Sequence, residues 1–357
     1  MKTIKRIAAI LLVCVMALTV VGCHKKDEIA VTIGDVEFTS AYYMCALIDA
    51  DIQAKEMVTE SLTDEEKEAE EIHYYSKKVE DKEYVTWVKD KAIEELKKIA
   101  AYKTICNKND IKISDEDTTY AESYVEYYWD ANLSAYYEPN GVGENTYTQY
   151  LKDTYYSEKC FEHFYGKGGE KEVKSEDVKK AIYDNYLISD ILTATYPENA
   201  TDVDKQALKA RIDKYAKELS SGKKTFEEVY NEYNNVKEES TSETVTDEKA
   251  PKDKYAQVIG APNTKKASDY YDTVKGMKVG EAKVEETADG SGLYIFFKQD
   301  IKADDYYLES LDMEARHLLA DEDFEKYIET YVKDLSVDIN NFAVKQFKVE
   351  KIVTIEG

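Results

Sequence analysis

Histidine, proline and glycine are scarce in this chain, and basic residues are outnumbered. There are only 4 histidines in 357 residues. His24, His73, His163 and His317 are widely separated, with no HExxH and no second histidine at helical spacing, so no histidine metal centre is readable. No GxGxxG or GxxxxGK[ST] occurs, and Gly141-Val-Gly143 lacks the third glycine of a dinucleotide loop. GxSxG, the nucleophile elbow, is missing too. Acidic pairs occur throughout, so no single pair marks a catalytic dyad. The residues by themselves point to no metal, no cofactor and no active site. With 4 prolines and 14 glycines, the chain is poor in the turn residues a mostly β sandwich needs. Its 48 basic against 73 acidic residues give a net charge of −25, which excludes nucleic acid as a partner, because holding phosphate takes positive charge. The same acidity argues against broad adhesion to an anionic bilayer. Beyond the first 22 residues no apolar run is long enough to span a membrane.

Those first residues are the most informative part of the chain. Lys2, Lys5 and Arg6 precede an uncharged apolar run from Ile7 to Val21, and small Gly22 stands before Cys23. A basic start, an apolar core and a small-residue cleavage point make a secretory signal. Val20-Val21-Gly22-Cys23 resembles the bacterial lipobox, which implies cleavage after residue 22, acylation of Cys23 and a protein held on the extracytoplasmic face of the cell membrane. Removing residues 1–22 deletes three bases and no acid, taking the net charge from −25 to −28. His24 to Glu28 form a short tether, about 20 Å at full extension. With Cys23 acylated, Cys45, Cys106 and Cys160 remain, an odd number without CxxC spacing. They read as small buried residues, with room for one disulfide.

Tyrosine is abundant, at 31 residues; its apolar body and polar tip suit half-wet surfaces and grooves. Along the chain, Ile29–Ile33 and Val36–Phe38 alternate as two strands about a Gly34-Asp35 turn, and Thr39 or Ser40 caps a helix. Thr63–Glu66 and Ser114–Asp117 are capping-box patterns, the first opening a very acidic stretch. Val85, Val88, Ala92, Leu96, Ile99 and Cys106 form one helical stripe. A helix over 147–164 stops at Gly166, Gly168 and Gly169, and Ser175 caps another. The pattern changes near Tyr186. Leu187–Tyr196 reads as a strand, Asp202–Leu219 and Thr225–Tyr233 as helices, 236–254 as a polar loop, and Ala282–Glu286 and Leu293–Phe297 as a hairpin pair. Helical period returns from Asp304 to about Leu335, followed by Val337-Asp-Ile-Asn and a last alternating stretch, Phe347–Ile355.

This order of elements is similar to that of the PrsA/SurA-like foldases, in which a helical chaperone domain surrounds a parvulin-type (PpiC) peptidyl-prolyl isomerase module. Ala30-Val-Thr-Ile-Gly-Asp-Val-Glu-Phe-Thr-Ser-Ala-Tyr-Tyr43 resembles the family's opening strand-turn-strand-helix. The helix around Trp87 and Ile111-Lys-Ile-Ser-Asp-Glu116 follow its plan, and Ser175 to Tyr186 is similar to the approach to the parvulin module. Inside that module, Ile188-Ser-Asp-Ile-Leu192 resembles the first strand, Leu219–Gly222 with Phe226–Tyr233 the second helical turn, and Lys278–Glu281 with Gly292–Lys298 the final hairpin. The resemblance implies an α+β chain: signal peptide 1–22, an N-terminal SurA-N-like helical domain 23–186, a parvulin-like module 187–302, and a C-terminal helical segment 303–357 that packs back on the first lobe. It implies unfolded or newly exported proteins as partners.

The departures bear on activity. The histidine of the family's first strand is replaced by Asp190 and that of its last strand by Tyr294; Leu192 and Phe226 mark two further positions of the same pocket. The resemblance therefore implies a degenerate module that keeps the fold and loses isomerase activity, since a charge at 190 opposes the dry environment that lowers the barrier to peptide rotation. The expectation is a membrane-anchored folding factor that binds clients in a groove lined by tyrosines. The alternative is an active prolyl isomerase with altered pocket residues. A solute-binding lipoprotein fits less well, because the helical run 35–186 leaves no room for a parallel-sheet lobe.

Overall fold

The computed structural model describes residues 27–67, 72–235, 251 and 253–353. Cys23 and most of the polar loop 236–254 lie outside the described residues, as does the end of the acidic stretch after Lys67.

The elements in chain order are strands β1 (Ile29–Ile33) and β2 (Val36–Thr39), helix α1 (Ser40–Ser61), β3 (Lys78–Val79), β4 (Lys82–Glu83), α2 (Tyr84–Lys108), α3 (Asp115–Tyr128), α4 (Glu144–Tyr165) and α5 (Ser175–Asn185). There follow β5 (Tyr186–Thr195), α6 (Asp202–Ser220), α7 (Phe226–Asn234), β6 (Ala256–Gly260), β7 (Ala282–Glu286), β8 (Gly292–Gln299), α8 (Asp312–Asp334) and β9 (Val337–Ile339). Short helical turns join several of them. The fold is α+β. No described helix is long and apolar enough to cross a membrane.

Local chemistry sets the element ends. Gly34, at φ +56°, turns the β1–β2 hairpin, and a Cβ there would stand 3.0 Å from Leu335. The Thr39 hydroxyl accepts from the Tyr42 amide, relieving one of the unpaired N–H groups at the start of α1. Ser114 does the same for α3. Thr201–Asp204 and Thr225–Glu228 form complete capping boxes on α6 and α7. Asn235, at φ +54°, ends α7 in the left-handed conformation that Asn tolerates.

The chain divides into two compact units. The first holds the described residues up to Phe161 together with those from Phe324 on; the second is Glu162–Asp323. In the first, β1 is the centre of a three-stranded sheet, pairing with β2 on one edge and with β9 on the other, Val31 opposite Ile339. Its core is α1 against α2: Leu47, Ile48, Val88, Leu96 and Ala92 are fully buried, and Ala343, Val349 and Ile352 from the chain's end join them. Each of the Leu, Ile and Val side chains among them contributes roughly 1.5–3 kcal/mol of transfer free energy on burial. Among its described residues, up to Val353, the last alternating stretch forms no strand. Val349–Lys351 is a 3-10 turn, and the spacing of Phe347, Val349 and Ile352 serves packing on this core instead.

The second unit is built on an antiparallel four-stranded sheet in the order β6-β5-β8-β7. β5 sits in the middle, so both of its edges are paired. On one face Leu192 and Ala194 pack with Ile212, Tyr215 and Leu219 of α6 and Phe226 of α7. Further along that face, Tyr186 and Ile188 pack with Val178 and Ile182 of α5 and with Tyr307 and Leu311.

Candidate functional site

The register of β5 and β8 decides where the residues singled out from the sequence lie. Asp190 is opposite Phe297, and Tyr294 is opposite Thr193. Positions three apart on a strand point to opposite faces, so Asp190 and Tyr294 stand on opposite sides of the sheet. Leu192 and Phe226 are brought together, as members of one buried apolar cluster beneath α6 and α7. The four positions do not line a common pocket.

Asp190 shares the face of Ile188 and Leu192 and lies between their two clusters with no solvent exposure. The Gln299 side-chain amide donates to its Oδ2 at 2.6 Å, while Oδ1 has no hydrogen-bond partner. Burial raises its carboxyl to about 7; the Gln299 hydrogen bond opposes the rise and the charge of Asp253 adds to it. A half-satisfied buried carboxyl is held in check by protonation rather than by a partner.

Tyr294 faces the other side. There Tyr270, Tyr294 and Phe296 form an aromatic group with ring centroids 5.0 to 5.6 Å apart. With Ile191, Thr193 and Lys266 they border a shallow hollow of about 660 Å³. It presents apolar ring faces, the hydroxyl-bearing Thr193, Ser268, Tyr270 and Tyr294 and one ammonium, which suits an apolar side chain of a peptide. Tyr270 went unnoticed in the sequence because it lies between the polar loop and the final hairpin, on a segment without periodicity.

In the first unit, α1, α2 and α4 enclose a cleft of about 640 Å³. Asp49, Ile52, Lys98, Ile99, Tyr102 and Tyr150 are among its walls. The Tyr150 hydroxyl donates to Asp49 at 2.7 Å. The surrounding protein raises the Asp49 carboxyl above its usual value, against the pull of the Tyr150 and Tyr137 hydroxyls; its opening onto the cleft lets water moderate that push.

Tyrosine's abundance has two separate structural outcomes. In the core, tyrosine bodies pack while their hydroxyls donate to carboxylates: Tyr42 to Asp153 at 2.7 Å, Tyr84 to Asp51 at 2.9 Å, Tyr186 to Glu314 and Tyr215 to Glu232 at 3.1 Å. Burial first, and the adjacent carboxylate second, push the Tyr42 and Tyr84 phenols well above their usual value. On α3 the outcome differs. Ala121, Val125 and Trp129 face inward, and Tyr120, Tyr124, Tyr127 and Tyr128 are exposed, Tyr127 by 75%. Their rings meet in series at 6.5, 4.7 and 4.7 Å. Contiguous exposed aromatics of this kind mark interaction surfaces. The helix then passes into a π-helical turn at Trp129–Leu133, a feature that often accompanies functional positions. Among the described residues no group of three or more His, Cys, Asp or Glu is placed to hold a metal ion.

No protein-family model matches the chain, and no curated protein matches it. Among solved structures it is similar to the foldase protein PrsA of Lactococcus lactis, with 13% identity over 89% of this chain and 96% of that one and a TM-score of 0.39. PrsA of Bacillus subtilis is similar at 15% identity over 74% of this chain and 91% of that one, with a TM-score of 0.35. Superpositions this loose carry no residue roles from those proteins to this chain.

Proposed function

We propose that this chain is a folding factor for exported proteins, anchored at the extracytoplasmic face of the cell membrane through acylated Cys23, and that it holds unfolded clients on aromatic surface. In this reading residues 187–302 form a parvulin-like module, lying within the compact unit Glu162–Asp323 and carrying α5 and Tyr307 against its sheet, between the two parts of a helical chaperone lobe. The observation that carries client binding is the exposed series Tyr120, Tyr124, Tyr127 and Tyr128 on α3. Large rings with a polar tip meet apolar segments without fixed register, at low cost in side-chain entropy. The net charge of −28 on the mature chain keeps the factor soluble and disfavours acidic clients. Purified without lipid, the mature chain is expected to slow aggregation of an unfolded test protein at near-stoichiometric ratio without ATP. Tight binding of one small solute with no such protection would return the solute-binding reading.

The isomerase site is read as lost: Asp190 is buried away from solvent, and Tyr294 is on the other face. The expected turnover of a proline tetrapeptide is at background. The hollow beside Tyr270, Tyr294 and Phe296 favours the alternative, because it offers a proline ring an aromatic surface. Turnover abolished by Tyr294→Ala would put that alternative first. The anchor has its own test: Cys23→Ala should release the protein from the membrane fraction, and retention there would remove the lipid from the account.

A further inference from the structure

Two cysteines of the first unit meet. Cys106 lies near the end of α2 and Cys160 near the end of α4. They are 54 residues apart in sequence, and their Sγ atoms are 3.0 Å apart. Both are fully buried. The Cys106 sulfur lies 3.8 Å from the Tyr156 carbonyl oxygen and the Cys160 sulfur 3.6 Å from that of Tyr102, so each thiol sits against the backbone of the other's helix. Only small side chains allow two helices to approach this closely. Cys45 takes no part, its thiol lying 3.5 Å from the Ala41 carbonyl of its own helix.

A thiolate is the attacking species in disulfide exchange.

We propose that Cys106 and Cys160 are oxidised to a disulfide that joins α2 to α4. The oxidant is a disulfide-bearing molecule of the compartment where the chain folds, either a disulfide-exchange protein or oxidised glutathione. The thiolate of one of the two cysteines attacks that disulfide and releases one thiol. The thiolate of the other then displaces the second thiol from the mixed disulfide. Two protein thiols lose two electrons and two protons, and the oxidant gains them as two thiols. Because both sulfurs are sealed from solvent in the finished fold, the exchange happens before α4 closes on α2. The bond closes the loop that carries α3, and so ties the tyrosine series to the core. That consequence rests on the client-binding reading, but the bond itself does not.

The test is peptide mapping of the full chain, refolded in a glutathione redox buffer, alkylated under denaturing conditions without reductant and digested. The expected result is one linked pair, Cys106 with Cys160, and an alkylated Cys45. A matching thermal scan should show Tm falling by roughly 5–15 °C on reduction, as closure of a loop of this length implies. The double variant Cys106→Ser/Cys160→Ser should show no such fall. Free, alkylated Cys106 and Cys160 after refolding, or a link that uses Cys45, would overturn the proposal. Client protection plays no part in the readout, so this test and that of the proposed function fail separately.

Discussion

Asp153 in the first unit and Asp190 in the second are both buried aspartates, and the chain treats them differently. Asp153 receives three donors: the Tyr42 hydroxyl and the Lys103 ammonium at 2.7 Å each and the Gln149 amide at 2.8 Å. Asp190 receives one, from Gln299 at 2.6 Å. Three donors, one of them a cation, compensate a carboxylate for lost water; one neutral donor does not. The first is therefore a structural tie between α1, α2 and α4, and the second stays buried by holding a proton to about pH 7. What separates a stabilising buried carboxyl from a costly one is the count and charge of its partners, not its depth.

The contrast is sharpest when each aspartate is removed. Asp153→Ala leaves a buried hydroxyl and an ammonium without their acceptor, and should cost about 3 kcal/mol in urea unfolding. Asp190→Asn should act in the opposite direction, and only above acid pH. The unfolded carboxyl releases its proton near 3.9, whereas the folded one holds it to about 7. Between these values the folded chain binds more protons, so its stability falls as pH rises and the whole penalty is present above pH 7. The asparagine variant cannot titrate and should be about 4 kcal/mol more stable than the parent at pH 8, and close to it at pH 4. An advantage that is the same at both pH values would break the comparison. Thr201→Ala, which removes one capping box from α6, should cost about 1 kcal/mol at either pH. The smallest stability effect is expected on α3, where changing Tyr120 or Tyr127 to Ser should stay within about 0.5 kcal/mol in the same unfolding assay.

Legibility of the sequence followed the range of the interaction. The β1–β2 hairpin, the caps at Thr39, Ser114 and Thr225, the α2 stripe and the final hairpin were readable, because each depends on residues a few positions apart. β6 went unread: Ala256–Gly260 is short, follows a polar run and owes its strand form to pairing with β5. The pairing of β9 with β1 joins residues about three hundred positions apart and leaves no local mark. Phe347–Ile355 alternates like a strand, yet Phe347, Val349 and Ile352 answer to a core formed by α1 and α2. Of the candidate site, the identities of Asp190 and Tyr294 were legible and their sides of the sheet were not, because facing depends on register. The meeting of Cys106 with Cys160 depends on how α2 crosses α4, which no spacing encodes.

The most direct measurement compares the two aromatic surfaces in a single aggregation assay with the full mature chain. One variant carries Tyr120→Ser, Tyr124→Ser, Tyr127→Ser and Tyr128→Ser; the other carries Tyr270→Ala and Tyr294→Ala. The account predicts that the first needs at least about fivefold more protein for the same protection, a loss of roughly 1 kcal/mol in client binding, and that the second protects as the parent does. Undiminished protection by the α3 variant, with loss in the Tyr270/Tyr294 variant, would contradict it.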